Sequence, residues 1–433
     1  MKTALYSPYS STRTKPEGTG KANEKALTTC RGCAREGLRT ILDMGSLPLA
    51  NALLNESQLG DPEPKVPLVL AFCTGCSLVQ ITETVPAELL FRHYVYFSSF
   101  SDTVLRESRE LARRMTRMRG LDGKSRVLEI ASNDGYLLQF YKEAGIPVLG
   151  IEPAENVARA AQDRGIRTLC QFFGREVALQ LQREGQQADV IHANNVLAHV
   201  EDLDGFIEGL RGVLKPDGVA VIEVPHVKEM IERLEFDTIY HEHLSYFSLA
   251  SLARLFEALQ LIIVDAEQLA IHGGSLRLFV EHASKRTVPT HRVRELTAGE
   301  RECGVTGFEF YEGFANKVQR LKESLTAQLN ALKADGHQIA AHGASAKGTT
   351  LLNYFGIGGD ILDFVADRST VKQGLYTPGT HLPIYAPEKL LETMPDYVLL
   401  LTWNFANEIL EQEKEYRRRG GRFIVPIPEP RLI

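Results

Sequence analysis

Val127-Leu-Glu-Ile-Ala-Ser-Asn-Asp-Gly-Tyr136 decides the fold of this 433-residue chain. Its apolar start reads as a short buried strand, its Ser-Asn-Asp-Gly as a tight loop, and the residues after Gly135 as the opening of a helix. Working outward, candidate strands lie at 126–131, 147–151, 188–193 and 219–224, with helices at 154–164 and 203–214 between them. Short buried strands alternating with helices predict an α/β fold built on a doubly wound parallel sheet. Lys215-Pro-Asp-Gly218 reads as the turn that ends one helix before the next strand. Further strands are expected at 261–266 and 275–281, the latter after Gly273-Gly274.

Ligands of such sheets sit beyond the carboxyl ends of the strands. Glu129, Ser132, Asn133, Asp134 and Gly135 occupy that position on the first strand, and Gly135 permits close backbone approach. Glu152 closes the second strand, where a carboxylate accepts from two ribose hydroxyls. The loop lacks the G-x-G-x-x-G of a dinucleotide site, and a single glycine suffices for S-adenosylmethionine. Asn194 and Asn195, ending the fourth strand, either reach that cofactor or serve only the turn.

Ahead of this core stand two C-x-x-C pairs, Cys30/Cys33 and Cys73/Cys76. The other cysteines, Cys170 and Cys303, are isolated, and the polar first 28 residues lack the apolar middle of a secretory signal. Reduced thiols in paired spacing favour metal, and four thiolates close a tetrahedral Zn2+ shell with no position for water. The expected zinc is therefore structural. A net charge of −6 argues against a nucleic-acid face, and no apolar run reaches the roughly 18 residues of a membrane helix. The expectation is a cytoplasmic protein, monomeric or weakly oligomeric, with residues 1–27 a flexible tail.

Tyr94 and Tyr96 alternate in an aromatic segment, 93–100, and in an extended strand would point to opposite faces. A helix follows at 104–118. Apolar residues at helical spacing from Phe308 to Leu332 predict one long connecting helix. Beyond it a second α/β unit begins, with strands at 339–342, 361–366, 397–401 and 422–425. Its Gly343-Ala-Ser-Ala-Lys-Gly348 follows a strand and opens a helix, a natural seat for a diphosphate, with backbone donors and Lys347 for charge. Ser345 and Lys347 lead that assignment, with Lys372 and Trp403 as further phosphate or base contacts. The division is thus a zinc module (28–85), a cofactor domain (86–305) and a C-terminal Rossmann-like domain (306–433).

The cysteine pairs, Glu129–Gly135, Gly150-Ile-Glu-Pro153, Ala193–Val200, Tyr240-His-Glu-His-Leu-Ser-Tyr-Phe247, His272-Gly-Gly-Ser275 and Gly343–Gly348 together resemble the zinc-containing C-methyltransferases of nucleotide-linked 4-keto-deoxysugars. The resemblance spans nearly the whole chain beyond the polar N-terminus, which is longer here. It implies cofactor in the middle domain and a sugar nucleotide, dTDP-linked by preference, between middle and C-terminal domains. It also implies His243 as general base, with Glu242, Tyr240, His199 and Tyr94 around the sugar, His199 donating to the keto oxygen. Methylating carbon requires a carbon acid, and a C–H beside a ketone supplies one once a base is placed against it. His-x-His could instead mark a metal site, and the competing functions are an O- or N-methyltransferase and a noncatalytic zinc/Rossmann binding protein. The His272-Gly-Gly-Ser275 stretch either approaches the sugar or forms a tight turn.

Overall fold

Three sheets organise the chain in the computed structural model, which describes residues 28–92, 94–269 and 273–433. The tail expected at 1–27, His93 and His272 lie outside the described residues. The first sheet holds antiparallel β1 (Leu38–Pro48), β2 (Lys65–Cys73) and β3 (Val79–Ile81), and β9 (Ser245–Tyr246) joins it from far along the chain. Cys73 ends β2 and Cys76 lies in the turn into β3, so the hairpin itself delivers both thiols.

The second sheet runs in the order β10 (Leu261–Leu269), β11 (Ser275–His282), β8 (Leu214–Pro225), β7 (Ala188–Asn194), β4 (Val127–Ile130), β5 (Val148–Ile151) and β6 (Thr168–Leu169). Five of these are parallel; β10 and β11 pair antiparallel, so the sheet is mixed rather than the all-parallel one expected. Antiparallel neighbours need no crossover helix between them, so β10 and β11 close this edge directly. Lys215–Gly218 does not separate helix from strand. It loops out between the pairings Ala188↔Leu214 and Val190↔Val219, within β8 itself.

The third sheet orders β14 (Ile384–Tyr385), β13 (Val365–Ala366), β12 (Ile339–His342), β15 (Tyr397–Leu400), β16 (Arg422–Val425) and β17 (Arg431–Leu432), parallel except for β17. The strand expected at 361–366 shrinks to β13, because the Ile361 and Leu362 N–H groups turn back onto the Gly358 carbonyl. The long connecting helix is broken as well. Phe308–Tyr311 is a single 3-10 turn, Gly313 adopts φ +79°, and the helix proper is Phe314–Ala334. A residue in that left-handed conformation cannot continue a right-handed helix.

One apolar core runs through β1–β3 (Ile41, Leu70, Phe72), the excursion after β8 (Met230, Phe236, Ile239) and the C-terminal unit (Phe314, Leu351, Phe355). A second core packs Cys30, Cys73 and Leu78 against one face of the central sheet. The zinc module is therefore a wedge shared by both α/β units, not a bead at one end. No helix among the described residues is long and apolar enough to cross a membrane.

Candidate active site

A cavity of about 980 Å³ opens where the carboxyl ends of β4, β5 and β7 face those of β12 and β13. Its central-sheet wall carries non-glycine residues in left-handed backbone: Ala131 (φ 53°), Asn133 (φ 48°) and Asn195 (φ 53°). Alanine there is uncommon and costs free energy that the surrounding loop must offset, a pattern that concentrates at ligand sites. Gly135, at φ +79°, is required twice over, since a Cβ would also stand 2.9 Å from Ile166.

The sequence-predicted cofactor residues divide into two groups. Asn133, Glu152, Asn194 and Asn195 line the cavity. Glu129, Ser132, Asp134 and Gly135 stand behind that wall and shape it. Glu152 accepts from the backbone N–H of Asn133 and of Ala154, each at 2.9 Å, and burial raises its carboxyl to about 7. The side-chain oxygens of Asn194 and Asn195 are buried without a hydrogen-bond partner. Acceptors with no protein donor beside a carboxylate at a strand end fit the adenosine and amino groups of S-adenosylmethionine. Asp134 serves another purpose. Its carboxylate takes Arg164 at 3.0 Å and the Ser99 hydroxyl, tying segment 86–101 across the loop.

That segment is not a strand. Asn156 bonds both the N–H and the carbonyl of Tyr94 (3.1 and 2.8 Å), and Asn133 receives the Ser98 N–H (2.8 Å) and donates to the Tyr96 carbonyl (3.1 Å). Side-chain amides occupy the backbone groups that a strand would pair. The two tyrosine rings accordingly meet edge to face, 6.4 Å apart, rather than pointing to opposite faces.

Tyr240, His243, His199 and Tyr94 come together on the cavity wall. His243 donates from Nδ1 to the Thr238 carbonyl (2.8 Å), which leaves Nε2 to accept the Tyr240 hydroxyl at 2.9 Å. Burial, reinforced by the Glu242 carboxylate, holds both Tyr240 and Tyr94 far above the usual phenol range, so both stay protonated donors. His199 packs 4.9 Å from His243, ring to ring. Burial lowers its imidazole to about 4, and its Nδ1 lies 2.6 Å from the Glu242 carbonyl. Glu242 lies behind the wall, its carboxylate taking Asn51 Nδ2 (2.7 Å) and the Tyr94 hydroxyl (3.3 Å), and burial pushes it up to about 7. His241 points elsewhere, donating from Nε2 to the Val66 carbonyl at 3.0 Å. The His-x-His pair therefore faces two directions and does not chelate.

On the C-terminal wall, Ser345 caps the helix Ala346–Phe355, its hydroxyl accepting from Gly348 N at 3.1 Å. Lys347 and Lys372 line the cavity; Lys372 Nζ donates to the Ala344 carbonyl at 2.7 Å. Trp403 does not reach the cavity: its Nε1–H is bound to Asp237 at 2.7 Å and its ring lies under Lys347 Nζ, 4.8 Å away. Sequence reasoning missed Asn51, Arg368 and Asp367, which also line the cavity. Asp367 had a signal, an acid ending the second strand of an α/β unit. Asn51 and Arg368 had none, being brought there by tertiary folding alone.

The four cysteine sulfurs lie within 4.8 Å of one another, with Cys30–Cys76 at 3.5 Å and Cys33–Cys73 at 3.6 Å. A tetrahedron of zinc–thiolate bonds of roughly 2.3 Å has edges of roughly 3.8 Å, so the set fits one Zn2+. Gly32 N, Gln80 Nε2 and Gly75 N donate to these sulfurs at 3.3, 3.1 and 3.3 Å, as outer donors to metal-bound thiolates do.

Family profiles match in chain order: a zinc binding domain over 30–91, a methyltransferase domain over 104–266 and a C-methyltransferase C-terminal domain over 270–428. The C-methyltransferase NovU of Streptomyces niveus is 36% identical over 94% of this chain and 97% of its own. A ubiquinone biosynthesis O-methyltransferase of Rhodopseudomonas palustris (strain TIE-1) is 25% identical over 29% of this chain and 48% of its own. Magnesium protoporphyrin IX methyltransferase of Synechocystis PCC 6803, a solved structure, aligns with 41% of this chain and 78% of its own at 14% identity and TM-score 0.32. The chain belongs to the C-methyltransferase family with an N-terminal zinc-binding domain, and it is an S-adenosylmethionine-dependent C-methyltransferase.

Two outcomes are expected from this geometry. If ribose hydroxyls bind an ionised Glu152, S-adenosylhomocysteine affinity weakens as pH falls through about 7, approaching tenfold per unit below it. Calorimetry from pH 8 to 5.5 measures this, and Glu152→Gln flattens that dependence while weakening binding at pH 8. Cys73→Ser opens the four-sulfur shell and lowers Tm by roughly 10 °C, the shift expected for about 3 kcal/mol in a domain of this size. Turnover falls with it, read by scanning calorimetry beside zinc content and activity.

Proposed function

We propose that this C-methyltransferase acts on a nucleotide-diphosphate 4-keto-6-deoxysugar, at the carbon beside the ketone and by preference C3, with dTDP as the favoured carrier. The observation that carries the reading is a single cavity shared by three sets of groups. Glu152 and Asn133 lie on the cofactor side, Tyr240 and His243 at the middle, and Lys347, Arg368 and Lys372 on the far side. Three cations along one wall suit a diphosphate, and a helix opening at Ser345 adds backbone donors. A sugar tethered there extends toward His243.

His243 is the general base. Its Nδ1–H bond to Thr238 fixes the tautomer that presents Nε2 as the proton acceptor. Nε2 takes the proton from the carbon beside the ketone; the C–H pair moves into the ring and leaves an enolate. The Tyr240 hydroxyl, held on Nε2 before substrate arrives, turns to the keto oxygen as the sugar binds; this frees the Nε2 lone pair for the C–H proton and leaves the phenol donating to the oxygen that becomes the enolate. When bound, S-adenosylmethionine would supply a methyl made electrophilic by sulfonium; its transfer to the enolate carbon would break the C–S bond and leave S-adenosylhomocysteine. Glu242 and Asn51 hold the Tyr94 ring against the sugar, and His199 packs the base from its other side.

The domain division 28–85, 86–305 and 306–433 belongs to this reading. It is supported by β10 and β11 pairing into the central sheet, which keeps residues to 282 with the cofactor half.

His243→Asn abolishes turnover with cofactor affinity within about threefold of native, since the residue touches the proton and not the donor. With S-adenosylhomocysteine bound in D2O, the native enzyme washes deuterium into the sugar carbon beside the ketone and the variant does not. NMR of the product reads the new bond: a methyl on carbon supports the enolate, and a methyl on oxygen or native turnover by His243→Asn overturns it.

A further inference from the structure

The turn that orients His243 is itself held by the opposite α/β unit. Phe236–Thr238 is one 3-10 turn, and the Thr238 carbonyl at its end receives His243 Nδ1–H at 2.8 Å. The preceding residue, Asp237, is fully buried and takes the Trp403 Nε1–H at 2.7 Å from across the boundary between the units. Trp403 follows β15 of the C-terminal sheet, and Lys347 Nζ lies over its ring at 4.8 Å. Lys347 is also the leading positive charge acting on both Asp237 and its buried neighbour Glu235. Within the turn, Thr238 N bonds Glu235 O at 3.1 Å and Ile239 N bonds Phe236 O at 3.0 Å, and the Thr238 carbonyl also receives the Tyr246 hydroxyl at 3.4 Å.

We propose that Trp403 and Asp237 are positioning residues: their hydrogen bond between the two units fixes the Thr238 carbonyl, and through it the Nδ1–H tautomer of His243. This rests on His243 being the base. The proposal extends that reading by making proton abstraction depend on docking of the C-terminal unit rather than on the cofactor half alone. The Tyr246 hydroxyl reaches that carbonyl at a long 3.4 Å, so the 2.7 Å bond from Trp403 to the adjacent Asp237 is the firmer hold on its direction, and an ill-directed carbonyl lets the ring flip or change tautomer.

The test compares Trp403→Phe, which keeps an aromatic ring and loses the donor, with Asp237→Ala and Asp237→Asn in the full chain. ¹⁵N NMR of histidine-labelled protein reads the His243 tautomer, and steady-state kinetics separate kcat from KM for the sugar nucleotide. The expected result is a loss of the single Nδ1–H form and a roughly tenfold lower kcat in Trp403→Phe and Asp237→Ala, with KM within about threefold and zinc retained. Asp237→Asn, which still offers an acceptor to the indole, recovers most of the loss. A native tautomer with native kcat in the folded Trp403→Phe and Asp237→Ala proteins overturns the proposal. A lost tautomer with native kcat overturns it too, and then His243→Asn decides separately whether the base has been misassigned.

Discussion

A two-residue strand pairing governs this molecule. Val79 and Gln80, at the edge of the zinc sheet, pair with Tyr246 and Ser245, which closely follow the Tyr240–His243 turn. Leu244, between turn and strand, gives its N–H to the Ala198 carbonyl at 2.7 Å, and its own carbonyl receives Ile81 N at 3.1 Å. Arg31, in the middle of the first C-x-x-C, reaches that same Leu244 carbonyl at 3.3 Å, the Glu83 carbonyl at 3.1 Å and the Thr84 hydroxyl at 2.6 Å. Without these partners the excursion between β8 and β9 would leave backbone groups unsatisfied in a buried place. The metal thus acts at a distance: closing four thiolates fixes β2, β3 and Arg31, and those fix the loop that carries His243.

The two α/β units repeat one local device. In the cofactor half, Glu152 just past β5 accepts the N–H of Asn133 in the β4 loop and of Ala154, two residues on. In the C-terminal half, Asp367 just past β13 accepts the N–H of Ala344 in the β12 loop and of Ser369, two residues on, both at 2.7 Å. A carboxylate with two backbone donors still has lone pairs to offer, so each acid both locks its strand-end loop and faces the shared cavity. The two crevices face each other across that cavity.

Much of this is legible in sequence where the signal is local. The strand–loop–helix at 127–136, Glu152 and the cysteine spacing specify chemistry within a few residues, and each stands where its pattern puts it. The edge hairpin β10–β11 reads as two strands but not as an antiparallel pair, since alternation does not encode partner direction. Gly313 sits inside an apolar helical spacing, which hides the break because periodicity counts side chains and not backbone angles. The aromatic surface of Trp403 suggests a ligand contact, yet its indole N–H is what the fold uses. Asn51, Arg31 and Arg368 act on residues distant in the chain, and nothing in their neighbourhoods announces it.

The electrostatics of the cavity suit the two halves of a carbon methylation differently. Burial keeps Tyr94 and Tyr240 protonated, His199 neutral, and Glu242 poised at about 7. Forming an enolate creates charge, which a dry site resists unless donors aim at it, and in the proposed mechanism the Tyr240 hydroxyl answers that need. Methyl transfer does the reverse: an anion meets a sulfonium cation and both charges vanish. A desolvated site favours that step, because the reactants lose more than the products do when water is excluded. Phenols beside His243, with Lys347, Arg368 and Lys372 on the far side of the cavity, therefore suit both steps of the proposed reaction. With His243 as the proposed base, a lysine or arginine beside it would stabilise the enolate further but would also hold it back from the methyl group, so phenols suit that position better.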